Sequence, residues 1–570
     1  MTAAQTTPAR DTRVPALRRT LDYLGAFLPR RRDYASLGTS WRVDGVAGVT
    51  VGIVALPLAL GFGISSGVGA EAGLITAIVA GLIAAVFGGS HVQVSGPTGA
   101  MVVVLAPIVA SHGVGAVAAV ALLGGVIVAA AGLLKLGRVV SFIPWPVIEG
   151  FTVGIALIIF LQQVPALTRP DAGGPAHTNV AVEAITRLLH ADSIYLLWSL
   201  GAVAVVAASM LLLPRLHRAI PGSLIGVAVA SVAALLLGAP LATIGELPAS
   251  LPMPALPSLD VATFTELAPA AFAVAALAAI ESLLSARVAA SLSATGRYDP
   301  DRELFGQGLA SIGASLFGGM PATGAIARTA VNVRSGARTR VAAAMHAVFL
   351  LLIVALLAVP VSHIPLAALS GVLMVTAAQM VNRRVVSSII RSTRGDALAF
   401  GITAVVTVSV DLIVAVGIGV VVAGAIALRG ISQATGVHHE ALPGSPQPGD
   451  ERIALIAIDG PLFFASAERV LDELLAMEAL SVVVLRLSRM GIVDATGAHA
   501  LETLVQQLER RGITVIIKGV QERHQRLFDR VGVIDALGHA EHLHSELGPA
   551  VAHARSHIAR EATRDRPVHR

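Results

Sequence analysis

The sequence predicts an all-α polytopic membrane domain, with fourteen transmembrane segments as a seven-plus-seven inverted repeat, followed by a small α/β domain. Three observations predict it. The 570 residues are 55% hydrophobic and only 14% charged, with a mean hydropathy of +0.77, whereas a soluble chain carries about 25% charged residues. Apolar runs of the roughly 20 residues that a bilayer core requires recur as far as about residue 430. Two stretches, Val94–Met101 and Gly318–Ile326, interrupt such runs with Pro and Gly, and each contains Thr-Gly-Ala. Non-helical backbone at membrane depth survives only where protein or a water-filled cavity supplies hydrogen-bond partners. Two such interruptions in corresponding places are the sign of a transporter built from inverted repeats.

Residues 1–43 are Arg-rich, lack the apolar core of a signal peptide, and read as a cytoplasmic tail. The transmembrane domain is expected over 44–432. Its first five segments lie near 44–64, 70–88, after Ser95, 115–135 and 141–166. The next four lie near 193–213, 221–239, 266–292 and 304–318. The tenth is the second interrupted one, and the rest lie near 341–360, 365–381, 397–411 and 412–429. Basic residues test this order. Lys135, Arg138, Arg215, Arg218, Arg297, Arg302, Arg334, Arg338, Arg340, Arg383, Arg384, Arg391, Arg394 and Arg429 all fall in alternate loops, and the opposite loops hold only Arg169 and Arg187. By the positive-inside rule both termini are cytoplasmic, and the protein sits in the cell (plasma) membrane. The pI near 10.1 therefore reflects contact with anionic membrane lipid and not with nucleic acid.

After a polar linker at 433–450 the composition becomes that of a soluble domain, 451–545. Strands are expected at Ile453–Ile458, Val482–Leu487 and Thr514–Lys518, alternating with helices at Ala465–Met477, Thr496–Glu509 and from Gln521. Such alternation implies a mainly parallel sheet. Residues 546–570, with His and Arg but few apolar positions, read as a disordered tail.

Glu281 is the most informative single residue, because it lies mid-segment. An ionisable group there costs about 2.5–3.5 kcal/mol and marks a functional site when it faces a cavity or a partner. A carboxyl group so placed can take up and release a proton during transport, and Ser285, one turn on, can supply a second oxygen. The starts of segments three and ten, Thr98-Gly99-Ala100 and Thr323-Gly324-Ala325, are expected to present free backbone amides and the positive ends of two helix dipoles. Together these suit a small anion. Arg328, one turn beyond Gly324, sits near that anion, pairs with Glu281, or snorkels to the headgroups. There are no cysteines, no His or carboxylate spacing for a catalytic metal and no loop for a nucleotide phosphate. An enzyme is not expected, nor a cofactor beyond a coupling H⁺ or Na⁺.

Ala55–Ala59, Phe87–Ser90, Ser95–Ala100, Gly150–Gly154 and Gly318–Thr339, with its Ala327–Asn332 run, resemble the SulP family of anion permeases. The resemblance covers Asp44 to about residue 540 and implies fourteen segments, with a core of 1–4 and 8–11 moving against a gate of 5–7 and 12–14. It implies a substrate held between the starts of segments three and ten, a cytoplasmic STAS domain and a homodimer. Segments one to three are similar to the BicA-type bicarbonate branch. That branch has Asp and Thr, which help bind its sodium, where Glu281 and Ser285 stand here. Glu at this position is similar to proton-linked members, and Arg328 matches the arginine lining the anion site of animal relatives. The resemblance thus implies a proton-coupled sulfate or bicarbonate transporter. The alternatives are a sodium-coupled bicarbonate importer, a dicarboxylate symporter, a nucleobase permease, a passive channel, or a membrane signalling module whose STAS domain binds a cytoplasmic partner. The STAS likeness rests on Val493–Gly497, where Ala495 replaces the Ser that is phosphorylated in soluble anti-sigma antagonists.

Overall fold

A computed structural model describes residues 25, 27–30, 33 and 37–564, except for 139–142, 169–179, 217–219, 248–249, 258–260, 410–411, 434–435, 465–466 and 468–479. Most of the N-terminal tail and nearly all of the expected helix Ala465–Met477 fall outside the described residues. The chain divides into two compact units, Met1–Val420 and Val421–Arg570.

The first unit is helical. Its first half comprises α1 (Leu37–Ser65), α2 (Ala70–Phe87), the two-residue strand β1 (Ser95–Gly96), α3 (Gly99–His112), α4 (Gly115–Leu133), α5 (Trp145–Gln162), α6 (Val180–Leu189), α7 (Ser193–Leu216) and α8 (Gly222–Leu236). The second half comprises α9 (Val261–Leu292), α10 (Pro300–Leu316), β2 (Thr323–Gly324), α11 (Ile326–Arg334), α12 (Arg340–Ser362), α13 (Leu366–Met380), α14 (Arg383–Ser392), α15 (Arg394–Ser409) and the start of α16 (Leu412–Gln433), a helix that runs on past Val420. Among the described residues, eight helices are long and apolar enough to cross a bilayer, and three shorter apolar ones accompany them. Hydropathy does not reveal α6 and α14, because each is an amphipathic ten-residue helix with its own polar face. Arg187 and Glu183 pair along α6 at 2.7 Å.

Packing sorts these helices into two groups. In one, α4 and α2 lie against α10, α1 and α2 against α12, and α9 against α4 and α11. In the other, α5 lies against α15 and α13, and α7 against α8 and α13. The shared apolar core includes Leu60, Met101, Leu105, Leu267, Leu283 and Leu350, all nearly inaccessible. Large side chains such as Leu197, Leu235, Leu356, Val359 and Val405 remain exposed, the pattern of a surface that faces lipid. Asp44 on α1 ties the start of α12 in place. Its carboxylate accepts from the amides of Arg338 (2.7 Å) and Thr339 (3.1 Å) and from the Thr339 hydroxyl (2.6 Å).

The second unit is a six-stranded sheet of β3 (Gly436–Glu440), β4 (Ile453–Leu462), β5 (Val482–Arg486), β6 (Met490–Val493), β7 (Thr514–Lys518) and β8 (Leu543–His544), with α17 (Ala495–Arg510), α18 (Glu522–Val531) and α19 (Leu547–Arg564). The order is β3-β4-β5-β7-β8, with β6 beside β4, and every pairing is parallel except β3 with β4. Alternate residues point to opposite faces. Ile456, Ile458, Val483, Leu485, Val515 and Ile517 therefore pack with α17 and α18, while Leu455, Val484 and Ile516 face Ala550, Ala554 and Ile558 of α19. That second face corrects the disordered tail expected from residue 546. Three buried apolar positions at helical spacing suffice, because the sheet needs a cover on both sides. Arg555 adds a two-pronged contact to Asp450, with Nε to Oδ1 at 2.9 Å and Nη2 to Oδ2 at 2.8 Å. Those hydrogen bonds hold the Asp450 carboxyl below its ordinary range. Asp494 caps α17 by accepting from the Gly497 amide at 2.8 Å, and Ala495 follows with no hydroxyl to modify.

Candidate functional site

Backbone that leaves a helix inside an apolar unit must find partners, and the two interruptions find each other. β1 and β2 pair antiparallel, with Ser95 opposite Gly324 and Gly96 opposite Thr323. The Ala325 amide donates to the Val94 carbonyl at 2.8 Å. The Val94 amide donates to Thr329 Oγ1 at 3.0 Å, and the Gly324 amide to Ser282 Oγ at 3.0 Å. Two short helices leave this ribbon. Thr98, in extended conformation, precedes α3, and Ala325 precedes α11.

This placement changes part of the expected donor set. Helix α3 starts at Gly99 as anticipated, and no described residue accepts from the amides of Gly99 or Ala100. Helix α11 starts at Ile326, not at Thr323. The amides of Gly324 and Ala325 are already bonded, so among the described residues the free amides of the second break begin with Ile326 and Ala327. The physical reason is competition: the Ser282 hydroxyl and the Val94 carbonyl hold the chain extended through Ala325, and a helix cannot begin until they release it.

The side chains converge on α9. Thr98 Oγ1 and Thr323 Oγ1 each lie 2.8 Å from Glu281 Oε2 and 3.1 Å from one another. Both threonines are buried and Glu281 is half-buried. Three oxygens from three elements thus meet where the two broken segments face the eighth. Glycine keeps the elements close at this point. A Cβ on Gly99 would stand 2.1 Å from Ile159 Cδ1, and one on Gly324 would stand 1.8 Å from Gln93 Nε2 and 3.1 Å from Ser282 Cα.

Ser285 is not brought to Glu281. Its hydroxyl lies 3.2 Å from Thr329 Oγ1, on the contact between α9 and α11. Arg328 does not reach the headgroups. It is 2% exposed, and its Nη2 donates to the Pro97 carbonyl, tying the second break to the turn of the first. Its Nη1 is buried without a partner beside Gly96. It makes no ion pair with Glu281 among the described residues.

Sequence reading missed Ser282, Thr329 and Gln93. Gln93 is 6% exposed, and both its amide oxygen and its amide nitrogen are buried without partners against Gly324. Its signal was present: a polar side chain in an apolar run, two residues before a break, carries the same cost that singled out Glu281. Ser282 and Thr329 had no such signal, since a hydroxyl can satisfy itself on its own helix.

Residues 42–403 match the model of the sulfate permease family, and residues 447–550 match that of the STAS domain. The "Putative sulfate transporter YvdB" of Bacillus subtilis is 34% identical over 506 residues, covering 87% of this chain and 94% of that one. The bicarbonate transporter BicA of a Picosynechococcus species is 30% identical over 518 residues, covering 86% and 90%. Among solved structures, the murine Solute Carrier 26 family member A9 anion transporter shares the fold, with a TM-score of 0.80 over 96% of both chains at 17% identity. The chain therefore belongs to the sulfate permease family of membrane anion transporters, whose members are not enzymes, and carries its STAS domain after the transport domain.

Proposed function

We propose that the protein is a secondary active importer of a small inorganic anion, sulfate or bicarbonate, driven by protons through Glu281. The observation that carries this reading is the contact of one Glu281 carboxylate oxygen with the hydroxyls of Thr98 and Thr323. Two hydroxyl protons lie within this triangle of oxygens. With Glu281 ionised, both hydroxyls donate to it. With Glu281 protonated, its own O–H donates to one threonine while the other still donates to the carboxyl group. The same heavy-atom positions serve both forms, as a group that loads and unloads a proton each cycle requires.

The anion is held by the amides of Gly99 and Ala100 on one side and those of Ile326 and Ala327 on the other. Each helix end contributes about half a positive charge. Arg328 braces the two breaks against one another through Pro97. Protonation of Glu281 removes a negative charge beside this pocket, so anion and proton favour each other's binding. Both ends of the chain lie on the cytoplasmic side, following the alternation of basic loops.

The test is uptake of labelled sulfate and of bicarbonate into proteoliposomes under imposed pH or sodium gradients. The expected result is accumulation driven by the pH gradient, lost in Glu281→Gln while exchange of anion for anion persists. Accumulation by Glu281→Gln at the unmodified rate removes the coupling role. Uptake driven by sodium alone replaces the proton with sodium, and equilibration with no accumulation under any gradient makes the protein a passive channel.

A further inference from the structure

The STAS unit carries an unusual concentration of histidine that anion transport does not use. His553 and His557 lie one turn apart on α19, their rings stacked with centroids 5.1 Å apart and planes at 13°. His542, from the turn before β8, meets both edge-on at 5.4 and 5.3 Å. His539 and His544 contact the rim of the same group. His542 is buried and His553 and His557 are half-buried. His542 Nδ1, His544 Nε2 and His557 Nε2 are all shielded from solvent with no hydrogen-bond partner. Buried polar atoms without partners are rare, and an ion is one of the few things that satisfies several at once.

We propose that His542, His553 and His557 form a binding site for one divalent transition-metal ion of the zinc type. One ring nitrogen from each already lies within 4.8 Å of the other two. A tetrahedral ion with Zn–N bonds of about 2.0–2.1 Å needs them about 3.3 Å apart, so side-chain rotation alone closes the site. Two histidines four apart on a helix present their nitrogens to one ion. Three imidazoles without thiolates or carboxylates suit zinc, nickel, cobalt or copper and not magnesium or calcium. The fourth position falls to water or to His544. Bound there, the ion ties α19 to the segment before β8 and so secures the helix that covers one face of the sheet. The helical pair was not read from the sequence, because residues 546–570 were expected to be disordered and a spacing of four means nothing without a helix. Its third partner lies eleven residues earlier in a different element.

The test uses full-length, tag-free protein in detergent, stripped with a chelator and titrated with Co²⁺, whose visible absorption reports coordination geometry. The expected result is one tetrahedral site per chain, from which Zn²⁺ displaces Co²⁺. Changing an outer partner of a metal ligand already costs about 10–100-fold, so the double variant H553Q/H557Q is expected to lose at least about 100-fold in affinity. The variant H438Q/H439Q, at an exposed pair on β3, is expected to bind like the parent. Absence of a one-per-chain site, or equal binding by H553Q/H557Q, overturns the proposal. A second measurement needs no variant. Zn²⁺ is expected to protect His553 and His557 from carbethoxylation mapped by mass spectrometry, and equal modification with and without Zn²⁺ overturns the proposal independently.

Discussion

The two breaks carry the same triplet and use it differently. In the first, the ribbon residues Ser95 and Gly96 come before Pro97, so Thr98 stands at the N-cap position with its hydroxyl on Glu281, and Gly99-Ala100 open α3. In the second, the ribbon residues Thr323 and Gly324 come after Pro321, so the triplet is taken up by the ribbon and α11 begins only at Ile326. One helix is fourteen residues long and wholly apolar in its first two turns. The other is nine residues long and carries Arg328, Thr329, Asn332 and Arg334. The first break thus offers the amides of its own triplet, and the second offers a hydroxyl, a guanidinium and amides from further along. An inverted repeat equates positions in sequence. Which backbone groups stay free is set by what the ribbon and its neighbours capture.

That asymmetry is open to experiment. The largest effect is expected from Gly324→Ala, whose Cβ would meet both the Gln93 amide at 1.8 Å and the Ser282 backbone at 3.1 Å. Overpacking costs about 3 kcal/mol or more where two neighbours must shift at once. Thermal unfolding and anion uptake should both fall, with partial recovery in Gly324→Ala/Gln93→Ala. Full recovery would mean that the Ser282 backbone yields, and that the second break is no stiffer than the first.

Arg328→Gln should come next. Loss of a charge-assisted hydrogen bond worth about 1.5–3 kcal/mol predicts uptake reduced by roughly 10–100-fold at low substrate, with Arg328→Lys restoring part of it because an ammonium can still donate a single bond to the Pro97 carbonyl. A shorter-range comparison is Thr323→Val against Thr98→Val. Each removes one donor to Glu281, so each should slow coupled uptake about tenfold, and serine at either position should restore most of it. A much larger loss at one threonine would show that the two breaks share the carboxylate unequally. The smallest effect belongs to Gly99→Ala. The new methyl meets the Cδ1 end of Ile159 at 2.1 Å and Phe62 Cε1 only at 3.3 Å, so a loss of a few-fold should be largely relieved by Ile159→Val.

Much of this was legible from residues alone, and the limits have physical causes. Glu281, Thr98 and Thr323 announced themselves because a polar or helix-breaking group in lipid has few permitted excuses. The parallel strands Val482–Arg486 and Thr514–Lys518 announced themselves as short apolar runs. Ser285 was assigned by helical spacing to Glu281, yet its hydroxyl bonds to Thr329, since a residue one turn away on the same helix can still face a different neighbour. The final helix was invisible to composition because Ala550, Val551, Ala554 and Ile558 are too few to make a core except against a sheet face already left bare.

The sequence by itself determined that the chain crosses a membrane, that it breaks two helices in matching places beside one acid, and that a small α/β domain follows. These depend on composition, periodicity and the conformational limits of Pro and Gly, all of which act locally. Only the tertiary structure decided where α11 begins, that Arg328 turns inward to Pro97, and that three histidines share one space. Those outcomes depend on which distant donor or acceptor wins a given backbone group or side chain, and that competition exists only once the elements have packed.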